Sequence, residues 1–343
     1  MRLHSWLLVI LGFVVLVAAS LPLWPRGLGL HPPSGGEAVG LAALGVGCLL
    51  AASYFVRKDR RDQSRLADAA RASVLTDELD ASGVIADFGE STWTSYLDLE
   101  ATPDNDSDPF TSKLGGTFYS PPGFAWPLTN QHQPMWPLAQ LNFAELPHLD
   151  GFPDRGILQF FIAGDDMYGI DFDDLTSQTG FRVVYHAQIE TLTFPNPVQP
   201  DPGRLNVPFE GVFRISGSAG TMPMTVSDWR FERAVADSWR RCTGSPGEPG
   251  PDVVQAARQL LWDADEGDDS TFGGHQVGGY PSFTQDDPRG TSERWQGHTT
   301  VLLQIDSSDG ICWGDGGIAS FLIEPGRLSR CDFSNVVYTW DCH

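Results

Sequence analysis

The sequence predicts an α+β fold, a β-rich globular domain built as two related halves, behind an N-terminal two-helix transmembrane hairpin. Two uncharged apolar runs, each of 19 residues, lie at 6–24 and 38–56. Later residues form short runs rich in Phe, Val and Ile, which are typical of β-strands. Two segments among these runs have the periodicity of amphipathic helices.

The two apolar runs predict the transmembrane hairpin over residues 1–56. A helix of 19 residues is about 28 Å long, close to the thickness of the hydrocarbon core of a bilayer. The first run also resembles a signal peptide, because the small residues Ala18, Ala19 and Ser20 follow its apolar stretch. An uncleaved helix is favoured, since the run continues to Trp24, an aromatic residue suited to a membrane interface.

The flanking charges predict the orientation of this hairpin. Arg57, Lys58, Arg60, Arg61 and Arg65 follow the second run. Such an excess of basic residues is typical of the cytoplasmic side of a membrane. We therefore expect a multi-pass protein of the inner (cytoplasmic) membrane, with its C-terminal domain in the cytoplasm. Residues 57–112 are predicted to form a basic juxtamembrane helix and an acidic linker.

The charge balance of the remaining chain limits its partners. Residues 66–343 contain 41 acidic and 15 basic residues, a net charge of −26. Nucleic acid is excluded as a main partner, because its recognition needs a basic surface. A basic protein is the expected partner. The five cysteines show no zinc-ligand spacing and are too few for a disulfide framework, and no cofactor or metal is expected.

The globular domain is predicted to span residues 113–343, and a fragment from residue 110 is expected to fold alone. Helices are predicted at 228–241 and 251–266. An internal similarity joins Gln140-Leu141-Asn142, followed by a Gly and the strand ILQFFI, to Gln304-Ile305-Asp306, followed by a Gly and the strand IASFLI. This similarity is the basis for the two related halves. Strand-like runs lie at residues 156–163, 181–186, 211–215, 299–306 and 318–323.

A series of segments in fixed order carries a family resemblance. The segments are KLGG (113–116), PLAQLNFAELP (137–147), GILQFF (156–161), HQVGGYPSFTQ (275–285), LLQID (302–306), WGDGGIASFLI (313–323) and DFSNVVYTWDC (332–342). Together they resemble the YwqG-like bacterial domain of unknown function, over residues 113–343. The resemblance implies an α+β fold and a link to bacterial toxin–immunity systems. It implies no activity, cofactor or catalytic residue.

The segment 273–285 is the first candidate ligand-binding site. Its four glycines allow a close approach of the backbone to a ligand, and His275, Tyr280 and Gln285 supply polar groups. Gln304, Asp306 and Asp315 complete the candidate set. A carboxylate pair, Asp306 and Asp315, at the ends of adjacent strands would hold a metal or divide acid and base roles. The alternative interpretation is structural, since Asp-Gly is a hairpin signal and a histidine in a turn usually has a structural partner.

A second candidate site is an acidic cluster at the end of the second predicted helix, formed by Asp265, Glu266, Asp268 and Asp269. Negative charge at a helix C-terminus opposes the helix dipole, and a basic partner would relieve it. Plain solvation is the alternative. The sequence thus predicts a membrane-anchored cytoplasmic interaction module for a basic protein, such as a toxin that it neutralises. The second hypothesis is an enzyme with a polar site near His275 and Asp315.

Overall fold

The computed structural model describes residues 81–105, 108–190, 205–265, 273–308 and 310–343. These residues form one continuous sheet of ten strands with few helices. The expected α+β class is therefore wrong, and the two predicted related halves lie in one sheet. The physical reason is that the strand Thr94–Asp104 pairs on one side with Val212–Met222 and on the other with His275–Gly278, which joins the earlier and the later strands.

The strands are named in chain order. They are β1 (Thr94–Asp104), β2 (Lys113–Gly115), β3 (Trp136–Asn142), β4 (Ile157–Ile162), β5 (Phe181–His186), β6 (Val212–Met222), β7 (His275–Gly278), β8 (Thr300–Asp306), β9 (Ile318–Ile323) and β10 (Val336–Asp341). The helices are α1 (Ala81–Thr92), α2 (Phe231–Thr243), α3 (Pro251–Asp265), α4 (Pro288–Thr291) and α5 (Pro325–Leu328), with a 3-10 turn at Glu293–Trp295.

Strands β1 and β6 form the centre of the sheet, whose order is β10-β9-β8-β7-β1-β6-β2-β3-β4-β5. They pair antiparallel from Thr94 opposite Met222 to Asp104 opposite Val212. On one side β6 pairs with β2, and on the other β1 pairs with β7. Strand β1 thus lies in the middle of the sheet, although it precedes residue 113, the predicted first residue of the domain.

The sheet curls until its two end strands approach each other, so it is a nearly closed barrel. Phe181 of β5 packs against Tyr338 of β10 with ring centroids 5.1 Å apart. The backbone N–H of Tyr338 also donates to the carbonyl of Leu175, just before β5. The main core lies inside this curved sheet and includes Phe160, Phe181 and Phe321. Near closure removes most exposed edge, which limits pairing with other chains.

Both β2 and β7 end in a Gly–Gly pair with positive φ. The φ angles are 63° and 73° at Gly115 and Gly116, and 76° and 70° at Gly278 and Gly279. A Cβ at Gly115 would lie 2.6 Å from the carbonyl oxygen of Gly211, and one at Gly278 would lie 2.7 Å from Leu149 Cδ2. Glycine is required there by backbone angle and by space.

The first long helix begins later than the sequence predicts. Helix α2 starts at Phe231, its N-cap is Arg230, and no side chain caps it. Ser227, which directly precedes the predicted start at residue 228, does not cap the helix, and its hydroxyl lies near Thr225 and Pro281. Helix α3 begins at Pro251 as expected.

The predicted hairpin is not supported. Among the residues that the structure describes, no helix has both the length and the apolar character needed to cross a bilayer. The two runs at 6–24 and 38–56, and the basic segment at 57–65, lie outside the described residues. The expected localisation rests on those residues and stays a prediction.

Candidate functional site

Gln304 of β8, a predicted site residue, holds the segment 273–285 against the sheet. Its side-chain oxygen accepts the backbone N–H of Ser282 at 2.8 Å, and its amide nitrogen donates to the carbonyl of Gly274 at 3.1 Å. Gln140 of β3 does the same on the other side. It accepts from the N–H of Tyr119 at 2.8 Å and donates to the carbonyl of Thr111 at 2.8 Å. Each buried amide side chain therefore hydrogen-bonds the backbone of a neighbouring segment through both its oxygen and its nitrogen.

His275 and Asp306 do come together. His275 is buried, and its Nδ1 accepts the backbone N–H of Asp306 at 3.1 Å. Its Nε2 lies 3.2 Å from Oγ of Ser308. The Asp306 carboxylate accepts the backbone N–H groups of Gly274 (2.8 Å) and Ser307 (2.7 Å). Burial raises the pKa of Asp306, and these two N–H groups oppose the rise.

These contacts determine the tautomer of His275. Nδ1 accepts a hydrogen bond, so in the neutral ring the proton is on Nε2, which donates to Ser308. A general base would need a free lone pair at Nε2 to take a proton from the serine. In this geometry His275 orients Ser308 and does not activate it as a nucleophile.

Tyr280 and Gln285 bind other parts of the protein. The Tyr280 hydroxyl donates to the carbonyl of Thr92 at the end of α1 (2.7 Å), and Arg230 lies 5.4 Å from its ring centroid. Burial raises the pKa of Tyr280. The amide nitrogen of Gln285 donates to the carbonyl of Cys342 at 2.6 Å. Tyr280 therefore attaches the segment 273–285 to the end of α1, and Gln285 attaches it to the residue after β10. The two side chains do not converge with His275 on a shared ligand position.

Asp315 is exposed in the turn between β8 and β9 and has no contact with His275 or Asp306 that would form a carboxylate pair. The structure thus assigns structural hydrogen bonds to Gln304, Asp306, Tyr280 and Gln285. Of the second candidate site, Asp265 is the last residue of α3, while Glu266, Asp268 and Asp269 lie outside the described residues. That site stays a prediction. Within the described ranges, no group of three His, Cys, Asp or Glu side chains is placed to hold a metal ion.

The buried His275 and the half-buried His186 predict a loss of stability in acid. Burial lowers the pKa of His275 to about 4, and the same cause lowers that of His186 to about 4. As the pH falls below about 6.5, the unfolded chain takes up protons that the folded chain refuses. Stability is therefore lost between about pH 6.5 and about pH 4. We expect His275→Asn to reduce this loss by on the order of 1–3 kcal/mol.

Urea unfolding at a series of pH values measures this effect. The control is His343→Gln, at the exposed C-terminal residue, which is expected to keep the slope of the parent chain. A slope that is the same in His275→Asn and in the parent would contradict a neutral, buried His275.

A largely buried cluster of charges, which local sequence patterns do not indicate, is formed by Asp228, Arg230, Asp287 and Arg289. Arg289 is fully buried, and its Nη2 lies 2.6 Å from Asp287 Oδ2 and 3.1 Å from Asp228 Oδ2. Arg230 binds Asp228 through two nitrogens, at 2.8 and 2.7 Å. Burial opposes the ionisation of Asp228, but the arginines outweigh it and lower its pKa. The signal in the sequence is an Asp-x-Arg pattern that occurs at 228–230 and at 287–289. The pattern indicates a charge cluster only once the fold brings the two segments together.

A second missed feature is the loop between β4 and β5, residues 164–174, which we call the Phe172 loop. Phe172 is 63% exposed and Met167 is 41% exposed. Five aspartates surround them and the loop contains no Lys or Arg. The signal in the sequence was an apolar residue between acidic ones, Asp171-Phe172-Asp173. This pattern is weaker than the strand-forming runs at 156–163 and 181–186 that flank the loop.

The comparison with family models places this sheet among known domains. A model described as a domain of unknown function, DUF1963, matches residues 112–342. The chain belongs to the DUF1963 family. The DUF1963 match covers β2 to β10 and therefore both the His275 region and the Phe172 loop, whereas the central strand β1 precedes it. No curated protein matches the chain. The finer YwqG-like resemblance stays a prediction.

Proposed function

We propose that this DUF1963 domain is a binding module that docks a basic segment of a partner protein on the Phe172 loop. The observation that carries the proposal is the 63% exposure of a phenylalanine between two aspartates. An exposed apolar group with a polar rim marks interaction sites on protein surfaces. A basic toxin that the domain neutralises belongs to this charge class, in line with the resemblance described above.

The first support is the apolar area. Large aromatic side chains supply much of the binding energy at protein interfaces. Phe172 and Met167 are two of the five large hydrophobic residues that are exposed in the described part of the chain, and they lie on the same loop. Both side chains expose apolar surface to water in the free domain. A partner that covers them removes this surface from water, and the complex is thereby stabilised.

The second support is charge. Asp165, Asp166 and Asp173 are exposed on the loop, beside the half-buried Asp171 and Asp174. An ion pair with Arg294 at 2.5 Å balances Asp174. The remaining negative charge attracts basic segments and raises the rate of association, an effect that salt screens over about 8 Å at physiological ionic strength.

The third support is the rigidity of the loop. The Asp165 side chain accepts the backbone N–H groups of Met167 (3.0 Å) and Gly169 (2.9 Å). From β10, the Trp340 indole N–H donates to the carbonyl of Met167 at 2.9 Å, and the Tyr338 hydroxyl donates to that of Tyr168 at 3.0 Å. Such a preorganised loop loses little conformational entropy when it binds.

The alternative function, an enzyme near His275 and Asp315, has less support. His275 carries its proton on the nitrogen that faces Ser308, and Asp315 lies apart from it. Gln304 and Gln285 are used by backbone groups. Binding therefore accounts for more of the exposed features than catalysis does.

The test uses the full chain and a labelled eight-residue peptide of alternating Lys and Leu, followed by fluorescence anisotropy. We expect saturable binding that weakens about tenfold in Phe172→Ser, since a central aromatic contact is commonly worth that much. The control is Leu128→Ser, which alters a residue 45% exposed outside the loop and should change the affinity less than about twofold.

A second peptide with Glu in place of Lys tests the charge. Binding of both peptides with equal affinity, equal effects of Phe172→Ser and Leu128→Ser, or no saturable binding of the basic peptide would each contradict the proposal.

A further inference from the structure

A cleft of about 170 Å³ lies beneath the connection between β3 and β4, at a place unrelated to the Phe172 loop. Its floor is Leu97 of β1 and Val277 of β7, which pair across the sheet. Its walls are apolar side chains of the connection, and they are Phe143, Leu146, Pro147, Leu149, Phe152 and Pro153. Leu149 packs against Gly278, where any Cβ would collide with it.

The sheet contains a second place with the same local pairing, and there a phenylalanine stands opposite the strand residue. Val277 precedes the Gly–Gly pair of β7 and lies opposite Leu97. Leu114 precedes the Gly–Gly pair of β2 and lies opposite Phe213. The Phe213 ring packs against Phe209 with centroids 5.6 Å apart, and a Cβ on Gly310 of the covering loop would lie 3.1 Å from it. At the cleft, Leu97 occupies the position that Phe213 has in this second pairing.

The mouth of the cleft carries negative charge. His148 lies at the mouth, with Nδ1 2.6 Å from Asp154 Oδ1 and Nε2 3.1 Å from Asp150 Oδ1. Hydrogen bonds to Asp150 and Asp154 raise the pKa of His148. The carboxylates of Asp150 and Asp154 carry two negative charges, and a protonated His148 carries one positive charge. The mouth of the cleft therefore has a net negative charge even when the ring is protonated, and this favours a cationic group there.

We propose that this cleft binds a small arylalkylamine, with its phenyl ring on Leu97 and Val277 and its ammonium group beside Asp150 and Asp154. The volume suits one ring, because a dry apolar cavity of about 150 Å³ holds benzene. The proposal does not depend on the proposed function, since it concerns a different loop and a small molecule.

The test is saturation-transfer NMR on the full chain with three probes that share a phenyl ring. They are 2-phenylethylamine, the neutral 2-phenylethanol and the anionic 3-phenylpropionate. We expect the amine to bind with a Kd of about 1 mM, which is ordinary for a ligand of this size. The alcohol should bind about threefold more weakly, and the acid more weakly still.

Three variants locate the site. Leu97→Phe places in the cleft the ring that Phe213 supplies elsewhere, and it should abolish amine binding while the chain still unfolds cooperatively. Ala144 is an exposed residue that lines the cleft, so Ala144→Trp should narrow the cleft without changing the core. We expect it to abolish amine binding as well, which keeps the test valid if Leu97→Phe fails to fold. Asp150→Asn with Asp154→Asn should weaken the amine about threefold and leave the alcohol unchanged.

Leu128→Ser is the control and should bind the amine as the parent does. The proposal is overturned if the amine does not saturate, if the three probes bind alike, or if Ala144→Trp binds the amine as tightly as Leu128→Ser.

Discussion

A chain that begins at residue 110 is expected to stay unfolded, whereas a chain that begins at residue 81 is expected to unfold cooperatively. The difference is α1 and β1. Strand β1 pairs with β6 from Thr94 to Asp104 and with β7 from Tyr96 to Leu99, so its removal divides the sheet at the centre. Leu97 and Leu99 are buried in the core. A typical domain is stable by only about 5–15 kcal/mol, so we expect the loss of this pairing and burial to unfold it.

Circular dichroism during urea unfolding, with size-exclusion chromatography, measures this outcome. The sequence patterns predict instead that the fragment 110–343 folds alone, since they place the start of the domain at residue 113. A fragment 110–343 that is monodisperse and unfolds in one sharp transition would show that β1 is dispensable. The fragment 81–343 is the matched control for expression and for the removal of residues 1–80.

Arg289→Met is expected to destabilise the domain by about 3–5 kcal/mol, the usual cost of removing one partner from a buried ion pair. The guanidinium is fully buried and lies between Asp287 and Asp228. Without it, two buried carboxylates share the single charge of Arg230, whose side chain is 27% exposed. Burial of an uncompensated charge is the main cause of the loss, since methionine keeps the unbranched apolar stem of the arginine and lacks only the charged head group.

The control is Arg327→Met, which removes an arginine that pairs with Glu324 and Asp332 at the surface. Exposed pairs contribute about 0–1 kcal/mol, so this variant should unfold close to the parent in urea. Addition of Asp287→Asn to Arg289→Met should restore part of the loss, because it removes one of the stranded charges. Equal stability of Arg289→Met and Arg327→Met would mean that the cluster is solvated or does not form.

The proposed binding surface and the proposed cleft have the same physical origin, a loop that leaves one strand of the sheet and returns to the next. Phe172 and Leu149 lie on two such loops, one exposing its apolar residue and the other burying it. Local composition identifies the strands well because several of them, such as β3, β4 and β9, are buried along their whole length and are correspondingly apolar. It says nothing about where the connecting loops fold back.

Several elements were predictable from local pattern alone. The predicted strand-like runs coincide with β4, β5, β8 and β9, the run at 211–215 covers only the start of β6, and helix α3 begins at the proline that marks its first turn. Gln140 and Gln304 were singled out by a repeated motif, and each indeed makes the same two kinds of backbone hydrogen bond. Such features depend on a few neighbouring residues, so a short stretch of sequence contains them.

The sequence by itself determined the acidic charge, the strand-forming segments and the glycine pairs that end β2 and β7. The tertiary structure decided that all strands join one curled sheet, that β1 lies at its centre, and that His275 donates to Ser308 and so is not a free base. It also brought Asp228 and Arg289, 61 residues apart, into one buried cluster. The physical reason is that pairing between distant strands, and the burial that follows, depends on the whole chain at once, whereas propensity and turn chemistry act over a few residues.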